Sequence, residues 1–153
     1  MSELSPLILL QVEAAHVADP LALFTQLTRT GDNSLLLESA EIDTKAGTQS
    51  LLLVDACVRL TCLGNTVTAE ALNTNGTTVL DTLQSALPVS VSRERNGQQL
   101  HLQFPQIDAG QDEDSRLKAL SVLDTLRTLL VRLHSPAPPD ALFLGGLFAD
   151  DLI

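Results

Sequence analysis

Val89-Ser90-Val91-Ser92-Arg93-Glu94-Arg95, then Asn96-Gly97, then Gln98-Gln99-Leu100-His101-Leu102-Gln103-Phe104, decides the fold class. Each run is short and carries period-2 alternation, and the dipeptide between them accepts the backbone that a two-residue hairpin demands. The two runs therefore read as adjacent antiparallel strands. A parallel pair would need a crossover of a dozen residues or more, and there is no room for one here.

Working outward, residues 75–86 carry Val79, Leu80 and Leu83 at helical spacing, with Leu87 on the same side. Asn75-Gly76 opens this helix in the sequence reading and Pro88 ends it. Upstream, residues 66–72 pair through Gly64-Asn65 with a long alternating run that begins at Ser50. In that run Leu52, Val54, Ala56, Val58, Leu60 and Cys62 share one face, and Leu51, Leu53, Asp55, Cys57, Arg59 and Thr61 share the other. We expect one continuous strand over 50–62. Residues 34–38 form a further short strand, flanked by Gly31-Asp32-Asn33 and a polar turn over 43–48. Asp19 caps a helix that starts at Pro20, repeats Leu23, Phe24 and Leu27, and ends after Thr30 at Gly31. Residues 6–14 read as a strand.

Downstream, Ser121-Val122-Leu123-Asp124 resembles a capping box with Asp in place of Glu or Gln, and Leu123, Leu126, Leu130 and Leu133 continue at helical spacing. The Pro-rich stretch 135–139 ends that helix. The expected order is β-α-β-β-β-α-β-β-α-β, with hairpins in place of regular βαβ units. This predicts an α+β fold, a largely antiparallel sheet with helices packed on it. Residues 141–153 begin a new apolar element without a turn or polar tail, and the expectation is a chain that stops in mid-fold.

At 153 residues the chain suits one domain or one piece of a larger one. Its 19 acidic and 9 basic side chains give a formal net charge of −10, which argues against a nucleic-acid partner. No apolar stretch approaches the ~20 residues of a membrane span, and no leader pattern opens the chain, so a cytoplasmic location is expected. On one continuous strand Cys57 and Cys62 would lie roughly 16 Å apart, too far for a disulfide, so free thiols are expected. With no Trp or Tyr, and only Phe24, Phe104, Phe143 and Phe148, the core must be aliphatic.

Catalytic signatures are missing. His16, His101 and His134 have no nucleophile elbow beside them, and Gly145-Gly146 has no Lys-Ser/Thr following it to make a phosphate-cradling loop. Asp112-Glu113-Asp114 reads as a solvated approach to a helix, since three consecutive acids do not all face one ion. Glu38-Ser39 differs, because an apolar run stops there on an adjacent acid and hydroxyl. An amino-acid ligand needs an acceptor for its ammonium, a partner for its carboxylate and an apolar wall. Glu38 with the carbonyls of a strand end, Ser39 and the neighbouring leucines offer these.

The run from Leu35 to Asp43 (Leu-Leu-Leu-Glu-Ser-Ala-Glu-Ile-Asp), with 50–55, resembles the N-terminal segment of anthranilate synthase component I. So do Asp19-Pro20 with Leu23-Phe24, the 66–72 run, Asp112-Glu113-Asp114 with Arg116-Leu117, Leu120-Ser121-Val122, and Gly145-Gly146-Leu147-Phe148. The matches follow the family's order across nearly the whole chain. The resemblance implies that 1–153 is an N-terminal regulatory region that binds L-tryptophan for feedback inhibition, an incomplete portion of a larger fold. Ser39 matches the family's tryptophan-contacting serine, with Glu38 and Ala40 as its neighbours. The family converts chorismate and ammonia to anthranilate and pyruvate with Mg²⁺, and a glutamine amidotransferase subunit supplies the ammonia. The chorismate and Mg²⁺ residues belong to a C-terminal catalytic domain outside this chain, which alone is expected to be inactive. The sequence departs from the family at Asp150, where an aromatic residue is usual and a buried charge would be costly. Two alternatives remain open from the sequence: the equivalent region of aminodeoxychorismate synthase component I, and a non-catalytic interaction fragment.

Overall fold

A computed structural model describes residues 12–28, 33–38, 50–106, 110, 114 and 119–133. Among them run α1 (Pro20–Leu27), β1 (Leu35–Glu38), β2 (Ser50–Leu53), β3 (Val58–Leu63), β4 (Thr66–Ala71), α2 (Thr74–Ala86), β5 (Ser92–Asn96), β6 (Gln99–Gln103) and α3 (Asp124–Arg132). Every described strand pair is antiparallel, and with the three helices this is the expected α+β class. The described chain divides into two compact units, one holding α1, β1 and β2 and the other holding the rest.

In the larger unit the sheet order is β3-β4-β6-β5. Alternation sets its two faces. Val67, Ala69 and Ala71 of β4 and Leu100 and Leu102 of β6 are buried, together with Val79, Leu80 and Leu83 of α2, and Leu87, Val91, Phe104 and Leu129. Val58, Leu60 and Cys62 of β3 pack partly against this aliphatic core. On the other face, Arg59 and Glu70 are register partners and form an ion pair at 3.4 Å.

Four local expectations are corrected. The 50–62 run is two strands, because Asp55 adopts φ +53°, which an extended strand does not accommodate. Asp tolerates this left-handed region through its short polar side chain. The apolar period carries on across Val54, Ala56 and Val58, so it gives no sign of the break. Helix α2 starts from Asn73 rather than Asn75-Gly76: the Asn73 Oδ1 accepts from the Gly76 N–H at 3.1 Å. Gly76 has a different task. A Cβ there would lie 2.0 Å from the Cys57 carbonyl oxygen and 3.0 Å from the Ala71 Cα, so helix and strand backbones approach where only hydrogen fits.

The second hairpin turns on Gly97-Gln98, with Asn96 paired to Gln99 and Gly97 at φ +57°. The Gly-first arrangement follows the strand twist as well as the expected Asn96-Gly97 turn would. The shift moves each partner by two residues and leaves every side chain on its expected face. Lastly, α3 buries Thr125 and Leu129, whereas Leu123 and Leu130 are exposed.

Other expectations hold in whole or in part. Asp19 Oδ1 accepts from the Ala22 N–H at 2.9 Å to cap α1 as expected, but the helix ends at Leu27 and not after Thr30, because Thr28 is already extended (φ −98°, ψ 98°) and its hydroxyl donates back to the Phe24 carbonyl at 2.7 Å; Gly31 lies outside the described residues. Asp124 Oδ2 accepts from the Ser121 N–H at 2.7 Å, which is the backward half of the box read from the sequence; the forward half is not formed, since α3 starts at Asp124 after Leu123 with no side-chain cap bond. Burial works against the Asp124 carboxylate, but the Ser121 N–H and the Arg127 guanidinium, 3.0 Å away, outweigh it and hold its carboxyl below the usual range. Cys57 and Cys62 are free thiols, and burial pushes the Cys62 thiol up from its ordinary value. Residues 12–14 are in no strand; the rest of the 6–14 reading, and those for 43–48, 135–139 and 141–153, lie outside the described residues.

Candidate functional site

The apolar run Leu35-Leu36-Leu37 finds its partner in Leu51-Leu52-Leu53. The ribbon register is Leu35 to Leu53, Leu36 to Leu52, Leu37 to Leu51 and Glu38 to Ser50. Directly opposed residues project to the same face, and that face repeats every second residue. Glu38 and Ser50 therefore share a face with Leu36 and Leu52, while Leu37 and Leu51 belong to the other.

Burial falls toward the end of the ribbon that carries Glu38. Leu35, Leu36, Leu52 and Leu53 are partly buried, Leu37 and Leu51 are 45% and 48% exposed, and Glu38 and Ser50 are exposed. A carboxylate, a hydroxyl and two leucines thus lie on one surface of a strand end. Chemically this is an acceptor for an ammonium group beside an apolar wall, with one neutral group that donates or accepts. Of the residues singled out from the sequence, Glu38 is placed here, and Ser39 and Ala40 lie outside the described residues. The sequence reading had not picked out Ser50 as a neighbour of Glu38. Its signal is the register, which two runs of three leucines do not reveal.

Elsewhere the candidates stay apart. His16 is exposed and in no regular element, and His101 stands on β6 with its Nδ1 3.3 Å from the Thr68 hydroxyl. His134 lies outside the described residues. So do Asp112 and Glu113, and Asp114 is exposed. Among the described residues no three His, Cys, Asp or Glu side chains come together as a metal site would require. A groove of about 540 Å³ between the Gly64-Asn65 turn, Phe104–Gln106 and Leu120–Val122 has Asn65 and Ser121 in structural use. The Asn65 amide donates to the Phe104 carbonyl at 2.9 Å, and the Ser121 N–H is held by Asp124.

No protein-family model matches the chain. Among curated proteins, anthranilate synthase component 1 of Serratia marcescens is 49% identical over 148 residues, which is 96% of this chain and 28% of that protein. The Escherichia coli K12 protein of the same name is 46% identical over 95% of this chain and 28% of its own length. The match to anthranilate synthase component 1 of Citrobacter freundii, 43% identical over 141 residues, covers 92% of this chain and 94% of that sequence.

The chain belongs to the anthranilate synthase component 1 family. It spans about 28% of the length of the Serratia and Escherichia relatives. The Leu-rich ribbon ending on Glu38 is therefore a feature of a component 1 segment. No helix among its described residues is long and apolar enough to cross a membrane.

Proposed function

We propose that this component 1 segment is the tryptophan-sensing part of a cytoplasmic anthranilate synthase of tryptophan biosynthesis, with the ligand held at the open end of the β1–β2 ribbon. The observation that carries the proposal is the exposed Glu38 at the end of a leucine ribbon, immediately before Ser39, in a member of this family. Glu38 and the strand-end carbonyls accept from the ammonium group of L-tryptophan, and the Ser39 hydroxyl meets its polar end. Ala40 adjoins them, and Leu36 with Leu52 lines the apolar side. The second wall is contributed by the C-terminal catalytic domain, where chorismate and Mg²⁺ bind and to which a glutamine amidotransferase subunit delivers ammonia.

Inhibition is then a coupling between this pocket and the distant chorismate site, typically worth ~1–3 kcal/mol. The test is calorimetry and inhibition kinetics on the full-length enzyme carrying this segment. Ser39→Ala is expected to weaken tryptophan binding and inhibition together, with uninhibited turnover preserved. Unchanged affinity and unchanged inhibition would sink the assignment.

A further inference from the structure

The register of the β1–β2 ribbon poses a problem that its leucines do not solve. Register is normally enforced by alternation, because a slip carries apolar side chains to the wrong face. Here three consecutive leucines oppose three consecutive leucines, so slipped pairings bury nearly the same groups. Something else must choose the pairing that sets Glu38 opposite Ser50.

Continuing the observed register two residues beyond Leu35 and Leu53 brings Asn33 opposite Asp55. These are the two non-glycine residues with positive φ among the described residues, at +60° and +53°. The Ala56 N–H donates to the Asn33 carbonyl at 3.1 Å and closes the ribbon beside them. A left-handed residue on each strand cannot be absorbed into an extended ladder, so neither strand can advance past the other.

We propose that Asn33 and Asp55 are positioning residues: a left-handed clamp that fixes the ribbon register and thereby places Glu38 and Ser50 at the ligand end. A slip of two residues would carry Glu38 about 7 Å along the ribbon, out of reach of a ligand seated at that end. The inference deepens the tryptophan reading and rests on it for the identity of the ligand, but the clamp itself has an independent readout.

The experiment compares Asp55→Val, which resists positive φ, with Asp55→Gly and Asp55→Asn, which accept it. In the full-length enzyme Asp55→Val should weaken tryptophan inhibition about tenfold, the scale of one lost charge-assisted contact, with uninhibited kcat and KM retained. Asp55→Gly and Asp55→Asn should inhibit like the parent. In a Cys57→Ser, Cys62→Ser background, cysteines at positions 37 and 51 should cross-link in the parent, and Asp55→Val should shift cross-linking toward the 37 and 53 pair. An unchanged cross-link pattern and unchanged inhibition in Asp55→Val would overturn the clamp, as would Asp55→Gly behaving like Asp55→Val. A parent enzyme that ignores tryptophan overturns the ligand assignment instead, and the cross-links still judge the clamp.

Discussion

Replacing Gly76 by alanine sets two effects of opposite sign against each other. In an open helix the change would stabilise by about 1 kcal/mol, since alanine has the better helix propensity. Gly76, however, is buried in the first turn of α2, and the added Cβ would meet the Cys57 carbonyl oxygen at 2.0 Å. That oxygen cannot simply step aside, because it accepts the Leu72 N–H at 2.8 Å. A second obstruction is the Ala71 Cα at 3.0 Å, which is also backbone. Overpacking of this kind costs about 1–3 kcal/mol, and displacing the carbonyl from a partly buried hydrogen bond costs about 1–3 kcal/mol more. After the propensity gain the net expectation is destabilisation by about 1–5 kcal/mol. For a chain of this size that corresponds to a Tm lower by roughly 2–20 °C. Thermal and urea unfolding of Gly76→Ala beside the unsubstituted protein measures it, with Gln84→Ala on the exposed side of α2 as a control. A Tm equal to or above that of the parent would refute the argument that two backbones meet at this glycine.

Arg93 donates to the carbonyls of Leu87 at 3.1 Å and Pro88 at 2.9 Å, and also to that of Gln84, closing the C-terminal end of α2. Arg93→Met keeps the stem and removes these bonds, so unfolding should show a loss of about 1 kcal/mol for this partly exposed group. Thr125 is buried with no hydrogen-bond partner for its hydroxyl, and Thr125→Val should raise stability by about 1 kcal/mol in the same assay. Asp124 has its carboxyl lowered on folding, so its contribution is present above the unfolded value and lost as pH falls through the folded one. An acid titration of stability should therefore show Asp124→Asn costing stability near neutrality, with the gap to the parent narrowing below about pH 4.

The sequence made the larger unit legible because several physical signals agreed there. Alternation in β4 and β6, the helical spacing of Val79, Leu80 and Leu83, and a glycine at each hairpin all pointed to one sheet with helices on one side. The misses depended on a backbone angle, a register or a packing choice that side-chain character does not report. Asp55 interrupts a strand without interrupting the apolar period. Gly97, not Asn96, leads its turn, and the two-residue shift leaves the pattern of faces unaltered. In α3 the leucines at positions 123 and 130 repeat at helical spacing yet lie on the wet side, since α3 packs on α2 and buries Thr125 and Leu129. At the candidate site the acid at the strand end was visible as a chemical signal. The pairing of Glu38 with Ser50 was not, because leucine opposite leucine is silent about register.

Helix α1 has no buried residue, and among the described residues of its unit only Thr28 is buried. The described part of this unit buries little and so contributes little free energy, whereas the four-stranded unit has a continuous aliphatic core. Amide hydrogen exchange would therefore run fastest through the ribbon and reach β4 and β6 last. A ligand seated on the ribbon spends part of its binding energy on keeping those strands paired, and its measured affinity is lower than its contacts alone would give. Under the proposed tryptophan reading, sensitivity to the ligand and fragility of the ribbon that would hold it are two measures of the same small stability.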